Sequence, residues 1–368
     1  MSKVKLKELV SIINEREDNP ASSKYDRFVG LEHYDSGSVK ITRWGDTKKL
    51  ASAMKVFHSG DILVARRNVY LKRASCVDFD GLTSGDSIVL RVNDDQLRAI
   101  IPFVLNTDAF WEYANRYADG SMSKRLSPAI LQDYEFSLPG DDKISEFSTL
   151  LWAMERTKTA YQKLIEKTDE LVKSQFIEMF GDPVKNPYGH KIRKLADIGE
   201  LNRGVSKARP RNTPDLLGGP YPLIQTGEVT AAELYINSYE STYSEKGLAQ
   251  SRMWPKGTLC ITIAANIAQT AILGIDACFP DSVVGFIPSN EVTQIYIHYW
   301  FGFFQKILEE QAPQVAQKNI NLKILSDLDV MVPPMGLQKQ FISVVEQSDK
   351  SKYSLGGRIC LMKMLLNR

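Results

Sequence analysis

A chain of 368 residues is long enough for two or three domains, and with 43% hydrophobic residues each can have a packed core. Its net charge of +2 argues against a uniformly basic nucleic-acid coat, though a reader with its cations gathered on one face stays open. No run of about 18 apolar residues occurs and Met1-Ser2-Lys3-Val4-Lys5 opens no secretory core, so the sequence points to a cytoplasmic chain rather than membrane or export.

Taken in order, the first element is the apolar, β-favouring run Asp61-Ile62-Leu63-Val64-Ala65 after the turn at Gly60, which reads as a strand, as does Ser87 to Val92. Aromatic and aliphatic residues then recur at helical spacing from Pro102 to Tyr117. A small-residue turn, Gly120 to Arg125, leads to a strand closing on Pro139. From Ile144 to Phe180 there is neither proline nor glycine. Phe147, Leu151, Met154, Lys158, Tyr161, Ile165, Thr168, Val172, Gln175 and Met179 alternate there at spacings of four and three, the pattern of a coiled-coil seam. Glu155, Arg156, Lys167, Glu170 and Lys173 are expected on the other faces. Such a helix is on the order of 50 Å long, too long for the core of a small domain, and Gly181-Asp182-Pro183 stops it.

Beyond this point the chain repeats itself at an offset of roughly 190 residues. Val4 to Ile12 aligns with His190 to Ile198, Ser59 to Val64 with Lys256 to Ile261, and Asp86 to Val89 with Asp281 to Val284. Ser123-Lys124-Arg125-Leu126-Ser127 aligns with Gln317-Lys318-Asn319-Ile320-Asn321. Matches in one order at near-constant offset imply two domains, each a mixed α/β globule of about 140 residues followed by a helix. The second copy accordingly has strands at Thr258 to Ile263 and Ser282 to Ile287, and helical spacing from Ile295 to Leu308. Its helix carries Leu337, Phe341, Val344, Ser348, Leu355, Ile359, Met362 and Leu366 on one seam and pairs antiparallel with the first. Gly356-Gly357 costs it about 1 kcal/mol per glycine relative to alanine, and a kink or frayed turn is expected there. The boundaries are then 1–140 and 183–334 for the globules, 141–182 and 335–368 for the helices.

This layout resembles the specificity subunit of type I restriction–modification enzymes. Three phrases carry the resemblance locally: Gly60-Asp61-Ile62-Leu63-Val64-Ala65-Arg66, Ile261-Thr262-Ile263-Ala264-Ala265-Asn266-Ile267, and Ala316-Gln317-Lys318-Asn319-Ile320-Asn321-Leu322. The resemblance implies that each globule is a target-recognition domain reading one half of a split, asymmetric double-stranded DNA target. It implies that the helices form an antiparallel coiled coil that spaces the halves and docks two methyltransferase subunits. Those subunits would supply S-adenosylmethionine, and restriction subunits would bring ATP- and Mg-dependent translocation and cleavage. This chain itself would bind no cofactor and catalyse nothing.

Base readout calls for forked donors and amides, phosphate clamping for cations and hydroxyls. The first globule offers Arg66, Arg67, Asn68, Lys72 and Arg73 after its strand, with Ser121, Ser123, Lys124 and Arg125 in the turn. The second offers Asn266 and Gln269, then Gln317, Lys318 and Asn319, at the equivalent positions. Lys207, Arg209 and Arg211 make the densest basic segment, suited to a phosphate clamp.

Enzyme readings do worse. Asn186-Pro187-Tyr188 lacks the second proline of an amino-methyltransferase motif, and Pro280-Asp281 has no Glu-x-Lys at strand spacing for a nuclease. There is no Gly-x-x-x-x-Gly-Lys-Ser/Thr, and His33, His58, His190 and His298 form no ligand or triad spacing. Cys76, Cys260, Cys278 and Cys360 lack CxxC spacing and read as reduced core residues rather than zinc ligands. A second class of function stays open: a scaffold whose globules bind protein.

Overall fold

Alternation within short apolar strands sets the architecture. In Ile62–Ala65, Ile62 and Val64 face one side and Leu63 and Ala65 the other, and all four are buried. A strand covered on both faces is apolar throughout instead of alternating with polar residues. In the computed structural model, which describes residues 2–120, 123–211, 213–264, 267–304, 307 and 320–366, the chain forms two units. One contains Met1–Ile165 with Tyr353–Arg368, the other Glu166–Lys352.

In the first unit, strand Ile62–Ala65 lies third in an antiparallel sheet ordered Val10–Ile13, Ser87–Val92, Ile62–Ala65, Ala74–Cys76, with Leu90 opposite both Ile12 and Ile62. Ile62, Val64, Ile88 and Leu90 pack on Phe110, Trp111 and Ala114 of helix Asp108–Tyr117. Leu63, Ala65 and Val89 pack the other way, on Phe57, Phe79 and Val29. There a second sheet, of five strands, covers them. A ribbon pairs Ser2–Lys5 with Glu135–Leu138, which ends at Pro139. The helical spacing from Pro102 to Tyr117 resolves into two helices, Ile101–Val104 and Asp108–Tyr117. Thr107 separates them, because its hydroxyl caps Phe110 N–H and starts a new helix.

The second unit repeats the order of the main sheet and the ribbon. Its main sheet is ordered Gly199–Arg203, Val283–Pro288, Leu259–Thr262, Thr270–Leu273, with Tyr235–Ile236 added in parallel at the edge. The ribbon pairs Lys191–Lys194 with Asp329–Val332. Leu259 and Ile261 face helix Gln294–Phe301 while Cys260 faces Trp254 and Phe279. Helical structure expected from Ile295 continues to Phe301, and Leu308 lies outside the described residues.

The first long helix runs Asp141–Phe180. Gly181, at φ +82°, takes the left-handed position after it, where its N–H reaches Ile177 O, as a glycine stop requires. The second long helix runs unbroken from Met335 to Leu366, so the frayed turn expected as one alternative at Gly356-Gly357 is absent. Seam contacts on either side hold those turns, and the glycines face open space. Arg358 lies 5.9 Å from the Tyr161 ring and donates to its hydroxyl.

Within the first unit, Tyr161 meets Arg358 while Leu151, Trp152 and Met154 share a cluster with Leu366. Within the second, Asp169 meets Lys352, and Phe176 and Phe180 meet Phe341. Numbers rise along one helix as they fall along the other, so the pairing in each unit is antiparallel. Val172, Phe341 and Ile359 are buried and Leu151, Met154, Tyr161, Ile165, Leu355 and Met362 half-buried. Three seam assignments shift. Ser148 is buried while Phe147 is 46% exposed, and Val345 is buried where Val344 is only partly so. Glu155, expected outside, is buried against Lys158 at 2.5 Å. These helices also pack on their globules, so the buried stripe is wider than a two-helix seam.

Among the cysteines, Cys260 and Cys278 are buried and Cys76 partly so, but Cys360 is exposed and is no core residue. Burial pushes the Cys76 thiol up to about 11 and raises Cys260 further. Among the described residues no helix is long and apolar enough to cross a membrane, and no cluster of His, Cys, Asp or Glu suits a metal ion.

Candidate nucleic-acid interface

The loop after Ile62–Ala65 is joined to the 119–126 turn by main-chain bonds. Arg66 N–H donates to Asp86 O, Leu126 N–H donates to Arg66 O, and Asp119 and Arg125 exchange two bonds across the turn. The two expected loops therefore form one surface. On it, Asp86 Oδ1 accepts from Arg125 at 2.9 Å and forms an ion pair with Arg67 Nε at 3.0 Å. Asn68, at φ +53°, accepts from Ser123 Oγ at 3.0 Å. Partial burial, with Arg125 beside it, holds the Arg66 guanidinium below its usual range, and Asp86 opposes the shift.

Three other candidates serve the loops themselves. Lys72 pairs with Asp108 at 2.6 Å, Arg73 donates to Leu31 O and Arg67 O, and Lys124 Nζ donates to Asn115 O near the end of helix Asp108–Tyr117. Ser121 lies outside the described residues. Beside the Asp86 turn opens a cavity of about 270 Å³ lined by Asn14, Arg16, Lys55 and Gly85. Burial, then the charges of Arg66 and Arg16, lower the Lys55 ammonium pKa, as expected where cations crowd without enough counter-charge. Arg16 and Lys55 were missed from sequence because neither lies in a duplicated phrase. The strand pair Arg16↔Lys55 brings them together.

In the second globule Asp281 holds the position of Asp86, in the turn before Val283–Pro288. Its main-chain oxygen accepts Arg203 Nε and NH2 at 3.0 and 2.7 Å. Its carboxylate lies 2.5 Å from Arg211 NH2 and 3.4 Å from Arg209 NH2. Arg209 also donates to Ser206 O and Ala208 O, which commits it to its own loop. The exposed Lys207 sits where Gln250 anchors the segment, through Ala208 N–H at 2.9 Å. Arg203 carries no pattern signal and was missed. Arg211, Gln225, Thr226, Ser241, Tyr243 and Ser282 line a cavity of about 230 Å³. Gln269 is exposed, its backbone paired with Thr262 in a hairpin. Asn266, Gln317, Lys318 and Asn319 lie outside the described residues.

Deeper in this unit, burial pulls His298 down to about 4, beside Thr270 Oγ1 at 3.0 Å. Burial also works against the Lys352 ammonium, but Asp169, Asp349 and Glu233 outweigh it and raise its pKa.

Known proteins share the domain and the fold. Residues 187–358 match the family described as Type I restriction modification DNA specificity domain. The type I restriction enzyme MjaIX specificity subunit of Methanocaldococcus jannaschii is 28% identical over 120 residues, 32% of this chain. That match spans about a quarter (27%) of the relative's own length. The S subunit of a type I restriction–modification system from M. genitalium superposes with a TM-score of 0.54 at 15% identity, over 100% of this chain and 95% of that one. A chain from a structure on complex assembly and conformational transition of a type I R-M system gives 0.56 at 19%, with coverage of 100% and 95%. At such identities the superpositions speak to fold. Residues 187–358 are thus similar to the type I restriction–modification DNA specificity domain, and the fold throughout resembles that of a type I S subunit.

Proposed function

We propose that the chain is the non-catalytic, DNA-reading subunit of a type I restriction–modification complex, each globule reading one half of a bipartite, asymmetric target. The observation that carries this reading is the recurrence of one device in both copies. A single aspartate before the last central strand gathers two arginines beside a cavity, Arg67 and Arg125 from separate segments in the first copy and Arg209 and Arg211 from one loop in the second. Guanidinium forks suit base edges and phosphates alike, and the differing cavities account for two different half-sites. The family match and the MjaIX relative support the same reading.

The paired helices set the spacing of the half-sites and dock two methyltransferase subunits. Half-exposed apolar side chains on the long helices, among them Phe147, Leu150, Leu164, Leu361 and Leu365, favour docking over a solvated spacer. S-adenosylmethionine belongs to those partners, ATP and Mg to the restriction subunits, and the assembly is cytoplasmic. The test is co-purification with a methyltransferase subunit from the same locus, followed by mapping of methylated adenines. A split motif whose one half changes when one globule is exchanged supports the reading. Methylation that persists without this chain refutes it and leaves the protein-binding scaffold.

A further inference from the structure

We infer that Asp86 and Asp281 are positioning residues for half-site discrimination: each carboxylate holds the arginines of its own globule in reading geometry. The inference rests on the proposed DNA-reading function and goes beyond it, since neither aspartate is a contact residue there.

These ion pairs add little to folding. Arg67 and Arg125 side chains are 52% and 45% exposed, and Asp86 is 24% exposed. Exposed pairs of this kind contribute little to folding, so stability is a poor reason for two arginines to share one carboxylate. Orientation is a better one. A free arginine loses rotamer freedom when a ligand fixes it, and a side chain already held avoids that loss on binding.

The atoms used agree. Arg67 lies against Asp86 by its Nε side as an ion pair, which turns its terminal nitrogens away as the fork that matches a guanine edge. Arg125 spends one terminal nitrogen, and its backbone is fixed through Asp119. In the second globule Arg209 is committed to its own loop. Arg211 touches Asp281 through one terminal nitrogen and lines the cavity together with Gln225, Thr226 and Ser282. The turns are fixed too. Asp86 O accepts Arg66 N–H, and Asp281 O accepts the Arg203 guanidinium. The same residue at the same strand head thus does one job in two globules whose other site residues differ. The carboxylate also sets a negative charge where phosphate would otherwise bind indiscriminately, which lowers affinity for random DNA.

The experiment uses the full chain, co-purified with a methyltransferase subunit, selecting from a pool of random-sequence duplexes. Affinity for bulk random duplex is followed across a salt series. Asp86→Asn should lower discrimination in one half of the recovered motif about tenfold and leave the other half as in the parent. Asp281→Asn should do the converse, and each should tighten binding to random duplex. Asp86→Glu keeps the charge but displaces it. It should lose the same discrimination without the gain in random binding, which separates geometry from charge. If the Asn variants fold and recover both halves unchanged, the inference is overturned while the DNA-reading function stands. A parent that recovers no motif overturns both.

Discussion

The two copies share a frame and differ in what they put around it. In the first, the cavity beside the aspartate turn carries two cations, Arg16 and Lys55; in the second one cation, Arg211, is joined by Gln225, Thr226, Ser241 and Ser282. The helix feet differ in the same spirit. The first unit buries the ion pair Glu155–Lys158 near Trp152 and Phe103. The second buries the aromatic group Phe176, Phe180, Tyr296 and Phe341. Strand order survived duplication because it depends on which side chains are apolar. The surfaces diverged because loop residues carry little of the folding energy.

Four experiments would sharpen or break this contrast. The largest effect is expected for Phe341→Ala, whose side chain is fully buried: a loss of about 4 kcal/mol. Hydrogen exchange should show it in Leu259–Thr262 and not in Ile62–Ala65, and equal loss in both strands would deny the units their separate cores. Next comes Glu155→Ala, which leaves Lys158 buried without its partner and should cost about 3 kcal/mol, this time in the first unit. A chemical melt showing under 1 kcal/mol would mean the Lys158 ammonium finds water easily.

The third contrast is pH. His298 lies near 4 in the folded unit against an ordinary 6.5, so the unfolded chain binds more protons between those values. Stability of the second unit should therefore fall as pH drops from 6.5 toward 4, by about 3 kcal/mol in all. His298→Gln should flatten that slope, and an unchanged slope would place the cause elsewhere. The smallest effect is a gain. Gly356→Ala and Gly357→Ala meet nothing within 4 Å, and each should stabilise the second helix by about 1 kcal/mol. A loss would reveal that this face is occupied in the assembly.

By itself the sequence determined the duplication, the paired strands, the stop at Gly181 and the two long helices. Those features depend on local periodicity and on which residues are apolar, and both can be read along one dimension. Tertiary structure decided what that dimension hides. Arg16 and Lys55 meet only through strand pairing, and Arg203 reaches Asp281 across 78 residues. Lys72 and Lys124, alike in sequence to any clamp residue, turn to Asp108 and to Asn115 O. Glu155 is inside and Phe147 half outside because each long helix answers to a globule as well as to its partner. Charge and hydroxyl partners are settled by distance in space, and a linear pattern carries no record of it.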